Sequence, residues 1–317
     1  MTMLLKTAAA VTFAFAATAA QAKVVDLGIG GANLFSLGDF SASSSDVEGS
    51  VLVAGSMTAS SYSVNDKNKD AFSANNGHGI ALAVGGALDY SNGAIKHGDI
   101  YVGGAQSLHS VGTDDTKTVS KAPVDFNALS SSVKTTSANL SKLGATGTVT
   151  TNPWGGMTLT GTGTKKGVEV FNISGSDLAK VNNFSFSGLD NNSTLIINVS
   201  GANAIGFNQN GVGLDGFKNY NVLYNFYETT NMNIQNVGVQ GSILAPLARV
   251  TGGNGQINGE VVVGNWASNV QVNAANFFKA TNVPGYGVSP VPEPESYAML
   301  LAGLALVGVA ARRKQRA

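Results

Sequence analysis

Short apolar runs, each closed by small residues, recur along the chain. They read Val47-Glu48-Gly49-Ser50-Val51-Leu52-Val53-Ala54-Gly55, Ile80-Ala81-Leu82-Ala83-Val84-Gly85-Gly86 and Gly98-Asp99-Ile100-Tyr101-Val102-Gly103-Gly104. Late in the chain come Val239-Gln240-Gly241-Ser242-Ile243-Leu244-Ala245-Pro246 and Ile257-Asn258-Gly259-Glu260-Val261-Val262-Val263-Gly264. Gly85-Gly86 and Gly103-Gly104 lie 18 residues apart, as do Gly241 and Gly259. That is close to the lower edge of known repeat lengths and about one coil of three short strands. The pattern predicts a mainly β, discontinuous β-solenoid (β-helix), with Gly and Asn supplying left-handed corners. Further strands are expected at 168–173, 184–186, 194–199 and 220–226, with one helical turn between Asp177 and Lys180. A single stretch changes period. Phe126, Leu129, Val133, Leu140 and Leu143 recur at helical spacing, with Asp125 as N-cap and Gly144 as the residue past the end. Its Ser- and Thr-rich outer face favours helix weakly, so the apolar stripe must pack on something, and the side of the solenoid is the expected place.

The two ends follow other rules. Residues 1–22 carry one early cation, Lys6, then an apolar run, then Ala20-Gln21-Ala22. This is the form of a secretory signal peptide cleaved before Lys23, with Ala20 and Ala22 as the cleavage-site residues. The other end reads Val291-Pro292-Glu293-Pro294-Glu295-Ser296, then an uncharged segment that opens at Tyr297 and closes at Ala311, then Arg312-Arg313-Lys314-Gln315-Arg316. As a C-terminal hydrophobic helix, 297–311 would be about 22 Å long, short of the ~30 Å hydrocarbon core. It would need a thinned bilayer or its flanking residues to cross, leaving the basic cluster cytoplasmic. The expected organisation is a signal peptide at 1–22, a solenoid domain at 23–283, a linker at 284–291 and a sorting signal at 292–317.

Composition narrows the function classes. Of 317 residues 40 are Gly, none is Cys, and 12% are charged. Without Cys there are no disulfides, Cys-ligated zinc sites or thiol nucleophiles. The formal charge is zero, 19 cations against 19 anions. Removing both end segments leaves 14 cations and 17 anions, because Lys6, Arg312, Arg313, Lys314, Arg316, Glu293 and Glu295 go with them. A mildly acidic body disfavours nucleic acid as a partner.

The order Pro-Glu-Pro, short apolar segment, Arg-rich end closely resembles the PEP-CTERM sorting signal of Gram-negative bacteria that make extracellular polysaccharide. The resemblance implies that an exosortase-type enzyme reads Pro292, Glu293, Pro294, Arg312 and Arg313, that 297–311 enters the membrane before processing, and that the product reaches the outer surface or the extracellular matrix. A second resemblance covers about 34–277. Phe35-Ser36-Leu37-Gly38-Asp39-Phe40, Asp46-Val47-Glu48-Gly49, Ile196-Ile197-Asn198-Val199-Ser200-Gly201, Val222-Leu223-Tyr224-Asn225-Phe226, Gly241-Ser242-Ile243-Leu244-Ala245-Pro246 and Ile257-Asn258-Gly259 look like the choice-of-anchor A family of secreted bacterial domains. It implies export and display more than a chemistry. The helix beside a discontinuous solenoid also looks like the bacterial ice-binding β-solenoids.

No catalytic constellation emerges. Gly211-Val212-Gly213-Leu214-Asp215-Gly216 has the letters of a dinucleotide fingerprint, but the residues after it read as a turn into a strand and not as a helix that would hold a pyrophosphate. Asp66-Lys67-Asn68-Lys69-Asp70 begins like a calcium loop, yet Ala71 stands where Gly and Gly77 where Glu is required. His78, His97 and His109 fit no metal spacing, and His97 reads as a turn residue. Asp89, Asp99, Asp114 and Asp115 fall near coil ends, where a polysaccharide-cleaving enzyme would need them to converge. Trp154, Trp266, Tyr62, Tyr90, Tyr101, Tyr220, Tyr224 and Tyr227 offer aromatic faces for sugars, although such rings more often pack inside. Thr148, Thr150, Thr158, Thr160, Thr162 and Thr164 alternate in sequence without recurring at the coil period, so they form no ladder across coils by themselves. The reading is a non-enzymatic exported surface or biofilm-matrix protein, structural or adhesive, with no cofactor and no metal. A carbohydrate-binding or ice-binding module and a polysaccharide-active enzyme remain as the other classes.

Overall fold

The computed structural model describes residues 23–67, 79–113, 116–163, 167–202, 205–207 and 214–287. The expected signal peptide with Ala20 and Ala22, the sorting-signal residues Pro292, Glu293, Pro294, Arg312 and Arg313, and the segment from Tyr297 to Ala311 lie outside them. So do His78, Asp114, Asp115, most of the calcium-like loop and the first half of the glycine motif. Among the described residues no helix is long and apolar enough to cross a membrane.

The strands stack in parallel into a β-helix-like body with three sides. On the side facing the long helix, the order is Val168–Ser174, Thr194–Ser200, Asn221–Phe226, then the first halves of Ser242–Gly253 and Val261–Ser268. Leu34–Ser36 comes next, followed by Val51–Val53, Ile80–Val84, Asp99–Val102 and Thr118–Val119. Stacking order therefore departs from chain order. The first coil of the N-terminal half sits on the last coil of the C-terminal half, with Leu34 opposite Val261 on one flank and Val51 on the other.

These helix-side strands are buried on both faces, which is why they read as unbroken apolar runs. Leu34, Val51, Val53, Leu82, Val261 and Val263 point into the coil. Phe35, Leu52, Ala83, Leu223, Leu244 and Val262 point out and are covered by the helix Phe126–Leu140 through Val133 and Leu140, with Phe126 and Leu129 beside them.

Asp125 caps that helix as expected, its Oδ1 accepting from the Asn127 and Ala128 amides at 3.0 Å each. The stop differs. The helix ends at Leu140 with Ser141 as C-cap, and the chain tightens into three-residue turns that bury Leu143, so Gly144 has no left-handed role. Three asparagines on successive coils secure this end. Asn225 Nδ2 donates to the Ser137 carbonyl at 3.0 Å, Asn198 Nδ2 to that of Leu140 at 2.9 Å, and Asn172 Nδ2 to that of Leu143 at 3.5 Å. A step of three residues along a helix is about 4.5 Å and neighbouring strands lie ~4.8 Å apart. The helix axis thus runs along the stack, and carbonyls that ordinarily end unpaired meet one asparagine per coil.

The corners bear out part of an expectation, with Asn65, Asn92, Asn236, Asn254, Gly241 and Gly252 at positive φ, and add serine to it. Left-handed backbone at the bend between the other two sides is supplied by Ser44, Ser61, Asn92 and Ser110 in the N-terminal coils, not by glycine. The repeat glycines serve close approach. Gly38, Gly55, Gly86 and Gly104 form a ladder in which each amide donates to the carbonyl of the glycine on the preceding coil, Gly38 donating to Gly264. A Cβ on Gly55 would lie 2.7 Å from the Gly38 carbonyl carbon. A small separate sheet, Thr148–Thr151, Gly156–Thr160 and Asn183–Ser187, packs Met157, Leu159 and Phe184 against the core.

Candidate functional site

The second side of the stack is flat and regular. Within each coil an apolar residue alternates with a small polar one: Phe40-Ser41-Ala42-Ser43, Met57-Thr58-Ala59-Ser60, Leu88-Asp89-Tyr90-Ser91. Phe40, Ala42, Met57, Ala59, Leu88 and Tyr90 are buried, so their neighbours face outward. Parallel pairing aligns Asn233, Thr251, Ala267, Ser41, Thr58, Asp89 and Ser107 into one outward row. Seven strands at ~4.8 Å spacing make that row about 29 Å long. A second row aligns Ser43, Ser60, Ser91 and His109, and Ser107 Oγ lies 2.9 Å from His109 Nε2 at the end.

The row crosses the join between the two halves without a break, because side chains lock the coils there. Asn265 Oδ1 accepts from the Asp39 amide and Asn269 Oδ1 from the Ser43 amide, at 2.9 and 3.1 Å. Asp39 Oδ1 in turn accepts from the Ser56 amide at 2.9 Å. Along the edge of the flat side runs a polar groove of about 570 Å³ lined by Gln235, Asn254, Asn269, Gln271 and Asp46. Burial raises the Asp46 carboxyl above its ordinary range, while a hydrogen bond from Gln271 Nε2 (3.2 Å) acts in the opposite direction.

The aromatic residues divide as their chemistry suggests. Trp266, Tyr62, Tyr90 and Tyr224 are fully buried, and Tyr101, Tyr220 and Tyr227 are half-buried. Trp154 is the exception, 81% exposed. The two described acidic candidates lie apart: Asp89 stands on the flat side, while Asp99 is buried at the start of a helix-side strand and accepts from the Lys117 amide at 3.2 Å. His97 sits in a turn with φ 53°, its carbonyl accepting from Asn65 Nδ2. Leu214–Asn219 forms a 3₁₀ helix leading into Asn221–Phe226, the turn into a strand that the glycine motif's context implied. The described threonines of the two tracts face each other on the small sheet, Thr148 opposite Thr160 and Thr150 opposite Thr158.

The flat rows are not among the features expected from the sequence, where the Gly–Val motifs of the helix side dominate the pattern. Their signal is present in the alternation of apolar and small polar residues at 40–43, 57–60 and 88–91.

The stack thus has one side covered by the helix and one side carrying aligned outward rows of mostly hydroxyl and amide side chains. The chain belongs to the family described as "Putative Ice-binding-like adhesive domain", which matches residues 28–274. A PEP-CTERM protein-sorting motif matches residues 290–314. No curated protein and no solved structure matches the chain. Together the two matches make it an exported cell-surface protein of adhesive type.

Proposed function

We propose that the protein is a non-enzymatic adhesin of the outer surface or extracellular matrix of a Gram-negative bacterium, sorted there by an exosortase-type enzyme, and that the flat side is its docking surface for hydrated matrix polysaccharide. The finer family assignment, choice-of-anchor A, rests on the motifs from Phe35 to Gly259. The observation that carries the docking reading is the outward row aligned across seven strands from Asn233 to Ser107, polar at every position except Ala267. Such a row offers hydrogen bonds at a fixed spacing with little side-chain entropy to lose. Its mixture of amide, hydroxyl, methyl and carboxylate groups suits sugar hydroxyls better than an ice lattice, which asks for one repeated group.

Two experiments test this. Ser41→Lys with Thr58→Lys places two long charged side chains on the exposed row. The expected outcome is severalfold weaker attachment of producing cells to a polysaccharide-coated surface, with Tm unchanged; attachment at the wild-type level would remove the flat side from the mechanism. Deleting 292–317 is expected to change where the protein accumulates without unfolding its core, and normal surface retention would sink the sorting claim.

A further inference from the structure

Trp154 stands at the tip of the hairpin joining Thr148–Thr151 to Gly156–Thr160, and its surroundings are built around it. Its amide donates to Asn152 Oδ1 at 3.0 Å, and its carbonyl accepts from Asn182 Nδ2 at 2.8 Å. Asn152 Oδ1 also accepts from the Gly156 amide at 2.9 Å, and the Asn182 amide donates to the Gly155 carbonyl at 2.9 Å. Gly155 takes φ 84°, which closes the turn. Both peptide groups of the tryptophan are thus fixed, while the residue remains 81% exposed. A fixed backbone presents this large apolar ring to water from a set position, which lowers the entropy lost when something covers it.

Beside the ring lies an open-sided groove of about 470 Å³, lined among others by Asp177, Lys180, Val181 and Asn182. Its one carboxylate and one ammonium cancel, so it favours a neutral ligand. Asn182 uses its Nδ2 on Trp154 and Asn152 its Oδ1 on the turn, which leaves an amide oxygen and an amide nitrogen for a ligand that both donates and accepts. The outer face of the same sheet carries two hydroxyl rows, Thr148–Thr160–Ser187 and Thr150–Thr158–Ser185, leading away from the turn.

We propose that this groove is a saccharide-binding subsite that takes a neutral hexose within a polysaccharide chain, stacking the apolar C–H face of the ring on Trp154 and meeting its hydroxyls with Asn152, Asp177, Lys180 and Asn182. The open side lets the chain run on across the sheet. The subsite lies on a different sheet from the flat side, so the two surfaces stand or fall separately.

The test uses the full chain in affinity gels containing dextran, galactomannan or hydroxyethylcellulose, with alginate as the anionic comparator. Intrinsic fluorescence is read in parallel. Because Trp266 is 1% exposed, a blue shift on binding reports Trp154. The expected result is retardation in at least one neutral gel with a blue shift. Trp154→Ala should weaken it tenfold or more at unchanged Tm, Trp154→Phe should retain part of it, and Ser41→Lys/Thr58→Lys, which alters only the flat side, should leave the blue shift at its wild-type size. No retardation in any neutral gel, retardation by alginate alone, or wild-type retardation of Trp154→Ala overturns the proposal.

Discussion

The indole of Trp266 stacks on the ring of Phe40, centroids 6.3 Å apart and planes 14° from parallel. One belongs to the last long strand of the C-terminal coils and the other to the first coil of the N-terminal half, and each is 1% exposed. Phe40 turns its edge to Tyr62 on the next coil, with centroids 5.7 Å apart. The two halves therefore share one core across their join.

That sharing makes Trp266→Ala costly to both halves at once. A loss of about 3–5 kcal/mol is expected, seen as a lower urea midpoint with one transition retained. Two separated transitions in the wild-type protein would show that the halves unfold independently and that the join is a docking contact only.

Asn33 is the polar counterpart at the same join. Fully buried, it donates to the Gly259 carbonyl at 2.9 Å and the Asn273 carbonyl at 3.3 Å, and accepts from the Gly49 amide at 3.0 Å. Asn33→Ala takes this partner from the buried Gly259 carbonyl and Gly49 amide, at ~1–3 kcal/mol each, while the Asn273 carbonyl keeps its bond from the Ala275 amide. Thermal denaturation should show a Tm drop comparable to that of Trp266→Ala. A change within error would mean that water takes the amide's place.

Glu260, at the next turn, should make stability pH-dependent. Burial raises its carboxyl to about 8, with Asp26 adding to the rise and a hydrogen bond from the Phe278 amide opposing it. A folded-state value above the unfolded one means that the protonated form is favoured in the fold. Its contribution is complete below pH ~4.5 and is lost as pH climbs to about 8. Glu260→Gln is expected to flatten that part of the Tm-against-pH curve, and an unaltered slope would show that other groups set it.

The asparagine rungs under the helix should behave as a coupled set. Asn225 accepts from Ser137 Oγ at 2.6 Å and donates to Asn198 Oδ1 at 2.8 Å, and Asn198 donates to Asn172 Oδ1 at 3.2 Å. In a double-mutant cycle, Asn225→Ala with Ser137→Ala should depart from additivity by roughly 0.5–3 kcal/mol. Strict additivity would reduce the helix to an apolar cover.

Much of this architecture is legible in the chain. The 18-residue period marks the coil: Gly103 and Gly104 pair with Val84 and Gly86 on the coil before, and the Gly241 amide bonds to Asn258 on the coil after. Asp125 and the spacing from Phe126 place the helix start. The join is not legible, because Leu34-Phe35-Ser36 and Val261-Val262-Val263 carry nothing that distinguishes each other from any neighbouring strand. The helix stop is misplaced because Gly144 looks like a cap, whereas the carbonyls are satisfied from outside by asparagines far along the sequence. Serines at the corners escape notice for a similar reason, since Ser at positive φ follows no composition rule. The flat row is hardest to see, its small polar residues being what any solvated face would carry.

The pairing of Lys23–Val25 with Thr281–Val283 has a mechanical consequence. These antiparallel strands lie on the flank of the stack, where Thr281 and Lys279 contact Asn221 and the Phe278 amide is tied to Ser242 Oγ. A pull on the tail is thus delivered to the middle of the body and spread over several coils at once, instead of peeling a terminal coil from its neighbour.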